Sequence, residues 1–156
     1  EARIDRLFAI KGTKTVDSIH KKLGNIMWDN VGMARDEQGL KDALKAIAEL
    51  KKDFYANVNV PGDKYEFNQE LEKALRLEDF FEIGELMARD ALNRNESCGG
   101  HFRVESQTEE GEAKRDDKNY MYVAAWEYKG EGVEPELHKE PLQYEFIKVA
   151  TRNYKE

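Results

Sequence analysis

With 156 residues, 40% hydrophobic and 37% charged side chains, and a net charge of −7, the chain can build one modest core with broad solvated faces. The acidic balance, with no basic stretch interleaved with aromatics, excludes nucleic acid and anionic membrane as direct partners. A single cysteine, Cys98, excludes an intrachain disulfide and suits a reducing compartment, and no apolar run is long enough to span a bilayer.

Residues 1–14 mix Arg3, Arg6, Lys11 and Lys14 with Ile4, Leu7, Phe8 and Ile10. They read as a connecting arm with a sticky side. The start at Glu1, with no obvious cap behind it, raises the expectation of a longer polypeptide. A first helix is expected from about Val16 to Met33, with Thr15 as its N-cap. Val16, Ile19, Leu23, Ile26 and Met27 recur at steps of three and four and form one stripe, with Trp28 beside it.

Asp36 is placed to cap a second helix over about Glu37–Tyr55. Its buried face is Leu40, Ala43, Leu44, Ile47, Leu50 and Phe54; Lys41, Asp42, Lys45, Glu49, Lys51 and Lys52 make the wet one. Asn59-Val60-Pro61-Gly62-Asp63 is a turn. A third helical stretch runs from near Asn68 to Arg94. Its apolar residues (Leu71, Leu75, Phe80, Phe81, Leu86, Met87, Ala91) cover more than one face, so a bend near Leu77-Glu78, dividing it into two helices, is open.

From Asn95 to Asn119 glycines and charges dominate without a usable period. Tyr120, Tyr122, Ala124, Trp126 and Tyr128 then alternate as a strand with an aromatic face, and Leu142, Tyr144, Phe146 and Lys148 alternate as a second. Gly130, Gly132, Pro135 and Pro141 punctuate the connection. The expected fold is mainly α: an antiparallel three-helix bundle, spectrin-repeat-like, over residues 1–95. A loop-rich extension with a two-stranded β hairpin follows over 96–156, packed on the bundle.

Three groups bear on chemistry. Cys98-Gly99-Gly100-His101 offers a thiolate and an imidazole, but a closed zinc site needs two further ligands, and only His20 and His138 remain as other histidines. The same Cys98 and His101 could form a nucleophile and base, yet no orienting third group is evident. The bland reading is a loop whose glycines permit unusual backbone angles. Third, Arg94, Glu96, Arg103, Arg115, Asp116 and Asp117 gather charges around these glycines. Arginine forks pair bidentately with carboxylates, and such networks lock loops or interfaces at least as often as they catalyse. No Gly-x-Gly-x-x-Gly, phosphate-binding loop or His-Glu-x-x-His is present.

Arg94-x-Glu96-Ser97-Cys98-Gly99-Gly100-His101-x-Arg103, followed by Arg115-Asp116-Asp117-x-Asn119, resembles the C-terminal region of the flavoprotein subunit of succinate dehydrogenase and fumarate reductase. Leu23 to Arg35, with Met27-Trp28-Asp29-Asn30-Val31-Gly32, looks like that family's first C-terminal helix. Asn68-Gln69-Glu70-Leu71-Glu72 through Ala91 is similar to its later helical stretch. The commoner family wording has arginine at Cys98 and alanine at Gly100. The Cys-Gly-Gly-His version, with the insert Ser106 to Lys114, looks like a branch found in Bacteroides-like and related bacteria. L-aspartate oxidases share a similar C-terminal domain.

The resemblance implies an intact subunit that interconverts succinate and fumarate at FAD, passing electrons to an iron–sulfur subunit and then to quinone through a membrane anchor. It implies a cytoplasmic location, peripheral at the inner face of the cell membrane. Flavin- and substrate-binding residues precede this region in the family. No catalytic, cofactor-binding or metal residue is therefore expected here, and the chain itself is expected to carry no FAD. Its expected role is scaffolding: the bundle buttresses the flavin-binding domain. Glu96, Ser97, His101, Arg103, Arg115, Asp116 and Asp117 form the interdomain or subunit interface. A free-standing interaction bundle is the alternative from another class.

Overall fold

The computed structural model describes residues 1–150. Their contacts divide the chain into two units, Glu1–Arg115 and a second beginning at Asp116. The last residues of the expected 96–156 extension lie outside the described residues.

The first unit is built on three long helices. Helix α2 (Val16–Val31) starts where the Thr15 hydroxyl accepts the Ser18 N–H, and α3 (Glu37–Asn57) where the Asp36 carboxylate accepts the Gly39 N–H. Helix α4 (Gln69–Asn93) is capped by Asn68, which accepts the Leu71 N–H. Each cap satisfies an amide that the first helical turn leaves unpaired. Helix α3 runs antiparallel to α4: Tyr55 meets Glu78, Lys51 meets Glu82, and Leu40 and Ala43 pack with Ala88 and Ala91. Helix α2 runs alongside α4 in the same direction, from the Asp17–Lys73 ion pair, through His20 stacked on Phe80, to Val31 beside Ala88 and Ala91. The expected apolar stripes of α2 and α3 are the ones that close the core around Ile19, Leu23, Ile47, Leu50, Phe54 and Phe81.

Four expectations need correction. Residues 1–14 are not a plain arm: Ala2–Ala9 form helix α1, whose Leu7 is fully buried. The chain then crosses the end of α3, where Lys14–Thr15 (β1) pair in parallel with Val58–Asn59 (β2). Gly12 makes this crossing possible, because a Cβ there would stand 1.8 Å from the Asn57 carbonyl oxygen. Second, α4 is unbroken through Leu77-Glu78, and both residues are buried. Ala74, Leu77, Phe81, Gly84, Ala88 and Ala91 make its buried stripe and Glu78 meets Arg3 and Arg6 of α1, while Phe80, Leu86 and Met87, the second apolar face, are exposed.

Third, the irregular loop region expected after Asn95 carries short backbone pairings. Ladder contacts join Arg35 to Arg103, Cys98 to His101, and Gln107 to Ala113. Fourth, in the second unit, a short helix α5 (Asp117–Tyr120) leads into β3 (Tyr122–Glu127), which pairs antiparallel with β4 at Glu136–Pro141, not at Leu142–Lys148. The register runs from Tyr122↔Pro141 to Glu127↔Glu136. Beyond it the Leu142 N–H continues toward the partner strand, donating to the Met121 carbonyl. Strand β4 was hidden because Leu137 is its sole large apolar side chain; its charged residues are used across the strands, Lys139 over the Tyr122 ring and His138 against Glu127.

Candidate functional site: a loop that closes one end of the bundle

The C-termini of α2 and α4 and the N-terminus of α3 lie at the same end of the bundle, where orphan carbonyls and amides collect. The segment following α4 covers them. Cys98 and His101 exchange backbone hydrogen bonds at 2.8 and 3.1 Å around Gly99-Gly100, a reversal that places Gly99 at φ +59°. The residues just after the turn run against Arg35: the Arg35 N–H donates to the Phe102 carbonyl, and the Val104 N–H to the Arg35 carbonyl.

Side chains then reach each helix end. Arg103 is buried and donates through Nη1 to the Ala91 and Leu92 carbonyls of α4. A guanidinium there also complements the negative end of the helix dipole. Arg35 donates through Nε to the Val31 and Gly32 carbonyls that finish α2. Glu105 accepts the Glu37 N–H at the start of α3 and pairs with Arg103 Nε at 3.1 Å. Burial pushes the Glu105 carboxyl upward, but the backbone amides and Arg103 outweigh it and hold the group below its ordinary value.

His101 is the hinge pin. Its Nε2 lies 2.7 Å from the Arg94 carbonyl, which can only accept, so Nε2 carries the proton. Nδ1 is left to accept from Arg35 Nη1, also at 2.7 Å. Burial, joined by the charges of Arg35, Arg103 and Arg94, lowers the imidazole pKa and favours this neutral tautomer. Both ring nitrogens are engaged, so His101 is not placed to serve Cys98 as a base. Cys98 itself is exposed.

The residues expected at an interface therefore divide by position. Glu96, Ser97, His101 and Arg103 come together in one network. Ser97 is fully buried, accepting the Arg103 N–H and donating to the Arg103 carbonyl; Glu96 is buried and paired with Arg94 at 2.9 Å. Arg115 is half-buried at the end of the first unit. Asp116 and Asp117 belong to the second, where the Asp116 carboxylate caps α5 by accepting the Asn119 N–H. Arg35 and Glu105 complete the network and were missed as site residues. The spacing gave no sign of Arg35, which is 66 positions from its partner His101.

A cleft of about 400 Å³ opens beside this loop, lined by Arg35, Met87, Asp90, Ala91, Arg94, Cys98 and His101. Among the described residues no buried side-chain polar atom lacks a partner. In the second unit Glu127, Glu136 and His138 bring three ligand atoms within 4.8 Å of one another. Lys129 already bridges the two carboxylates, at 3.2 and 2.8 Å. A lysine ammonium thus balances the charge a cation would neutralise.

Fold and loop together define a helical lobe in which Glu96, Ser97, His101 and Arg103 are occupied in closing its own bundle end. The family described as fumarate reductase flavoprotein C-term matches residues 20–154, and this chain belongs to it. The fumarate reductase flavoprotein subunit of Haemophilus influenzae is 27% identical over 98% of this chain and 24% of its own length. The one of Serratia is 29% identical over 99% and 25%. Among solved structures, Escherichia coli quinol fumarate reductase superposes with TM-score 0.81 at 23% identity, covering 96% of this chain and 25% of that one. The Mycobacterium smegmatis Sdh1 complex does so with TM-score 0.68 at 28%, covering 86% and 22%. The chain spans about a quarter of the length of these curated relatives. It corresponds to the C-terminal domain of succinate dehydrogenase and fumarate reductase flavoprotein subunits.

Proposed function

We propose that the chain is the C-terminal structural lobe of a subunit that interconverts succinate and fumarate at FAD. Electrons pass from the flavin to an iron–sulfur subunit, then to quinone through a membrane anchor. The observation that carries the reading is the family match over residues 20–154 on a domain of the same fold. Flavin and substrate belong to the remainder of the subunit, because the polar groups of this lobe's motif are engaged with its own helix ends. No described helix is long and apolar enough to cross a membrane, which accords with a peripheral position at the inner face of the cell membrane, reached through partner subunits.

The role of the lobe is mechanical. Glu96, Ser97, His101 and Arg103 fix the shape of the loop, whose outer side faces the flavin-binding domain or the iron–sulfur subunit; Arg115, Asp116 and Asp117 make interface contacts of their own. A closed network suits this, since a surface held rigid before assembly loses less conformational freedom on docking. The test is optical. The purified 156-residue chain should be colourless and take up no FAD, while the complete subunit carrying it should be yellow and reduce fumarate with an artificial donor. A chain that binds flavin by itself, or a complete subunit without fumarate or succinate activity, would refute the assignment.

A further inference from the structure

Three arginines act on His101, and their charges are not all matched. Arg94 is paired with Glu96 at 2.9 Å and Arg103 with Glu105 at 3.1 Å. Arg35 has no such partner. Its Nε donates to the Val31 and Gly32 carbonyls and its Nη1 to His101 Nδ1, all of them neutral acceptors. Among the described residues no carboxylate is in ion-pair contact with it, and its Nη2 bonds nothing. Yet the side chain is half-buried. Burial lowers its pKa, and the charge of Asp90 offsets that only in part. A partly desolvated cation without a counter-charge is costly, and a bound anion would relieve it.

Arg35 lines the cleft of about 400 Å³, and ligand sites begin at roughly 300 Å³. The other lining residues narrow the class of anion. A guanidinium edge matches the two oxygens of a carboxylate. Met87 and Ala91, one turn apart on α4, give the cleft an apolar wall, with the adaptable thioether at one end. Asp90 lines it too, and its charge opposes a ligand that carries two negative charges. A single carboxylate on an apolar stem satisfies all three.

We propose that this cleft binds a small organic carboxylate, a monoanion whose charged end pairs with Arg35 and whose apolar body lies on Met87 and Ala91. Occupancy supplies the one carboxylate that the arginines around His101 lack, so the ligand also fastens the loop that closes the bundle. Cys98, exposed and on the cleft lining, reports whether the site is filled.

Hexanoate is the probe, with acetate and inorganic phosphate beside it. Titrated at low salt into the 156-residue chain and followed by heteronuclear NMR, hexanoate should give saturable shifts at the amides of Ala91, Cys98 and His101. It should bind about tenfold tighter than acetate, the gain from about two buried methylenes. Met87→Glu sets a like charge on the apolar wall and should weaken binding several-fold. The same change should leave the thermal midpoint nearly unchanged, since Met87 is half in water. Arg35→Lys keeps the charge but loses the fork, and should also weaken binding several-fold. Lys45→Glu, on the wet face of α3, should bind as the unaltered chain does. In the complete subunit that carries this lobe, hexanoate should slow maleimide alkylation of Cys98 several-fold, read on its peptide by mass spectrometry. Shifts that stay linear, or that Met87→Glu leaves unaltered, would overturn the site. Phosphate binding tighter than hexanoate would assign the cleft to another anion and overturn it as well. So would a Cys98 in the complete subunit whose alkylation hexanoate does not slow.

Discussion

Glu78 shows how one residue can be misread from its neighbours alone. In sequence it sits where apolar residues covering more than one face leave a bend open, yet it is a buried carboxylate bonded to Arg3, to Arg6 at 2.9 Å and to the Tyr55 hydroxyl at 2.7 Å. The two arginines are about half exposed, and the burial is one-sided. The cost of disruption should therefore be asymmetric. Glu78→Gln leaves two arginines free to turn to water and should cost about 1–2 kcal/mol, the scale of lost charged hydrogen bonds. Arg3→Ala with Arg6→Ala leaves the carboxylate buried with only a hydroxyl and should cost about 3 kcal/mol. Denaturant titration of both variants decides it; equal losses would mean that Glu78 rehydrates easily.

His101 makes a pH prediction of definite sign. Its folded-state pKa lies below the ordinary 6.5, mainly through burial, so in the window around that value the unfolded chain binds more protons than the folded one. Stability from this group is complete above the unfolded pKa and is lost as pH falls toward the folded one. Protonating Nδ1 would turn the acceptor of Arg35 into a second cation facing Arg35, Arg94 and Arg103. Between about pH 7.5 and 5.5 the unfolding midpoint of the wild-type chain should drop, and His101→Gln should flatten that slope. An unchanged slope in the variant would assign the dependence elsewhere. Asp53 and Glu105, both held below their ordinary values, act in the same direction but at more acid pH.

At the level of elements, helices were legible because their signals are local. Thr15 and Asp36 cap as their side chains suggest, and the 3.6-residue period of α2 and α3 is the stripe that packs. The elements missed were those whose reason lies far along the chain. Helix α1 is held by Glu78 and Asp79, more than 70 positions away, and β4 by the register of β3 rather than by any alternation of its own. Gly12 belongs with these. No turn and no positive φ marks it; only the passage of the chain against Asn57 requires it. Because the obstructing atoms are backbone, Gly12→Ala cannot be relieved by a rotamer change. It should cost about 3 kcal/mol, at the upper end for an overpacked site. A thermal melt showing no loss would mean that β1 lifts away from β2 at little cost.

For the whole molecule, family and fold class could be read early because the glycine-histidine and arginine-diaspartate motifs are specific in combination. What those motifs do was less legible. Buriedness is a property of the folded neighbourhood, and nothing in Glu96-Ser97 announces that both side chains face inward. The same contrast separates the two units in stability. In the first, fully buried residues such as Phe54, Phe81 and Ile47 tie the helices together. In the second, Tyr122 is the one buried residue among those described, and the sheet has two strands. A ribbon of that size is marginal in water, and opening it exposes little apolar surface. In the 156-residue chain, amide hydrogens of β3 and β4 should exchange orders of magnitude faster than those in the middle of α3 and α4, where opening must breach the core. Mass-spectrometric exchange on peptic fragments measures this directly. Slow exchange at Val123–Trp126 would show that the hairpin is stabilised by more than its own ladder, and its strands would then have to be counted with the core.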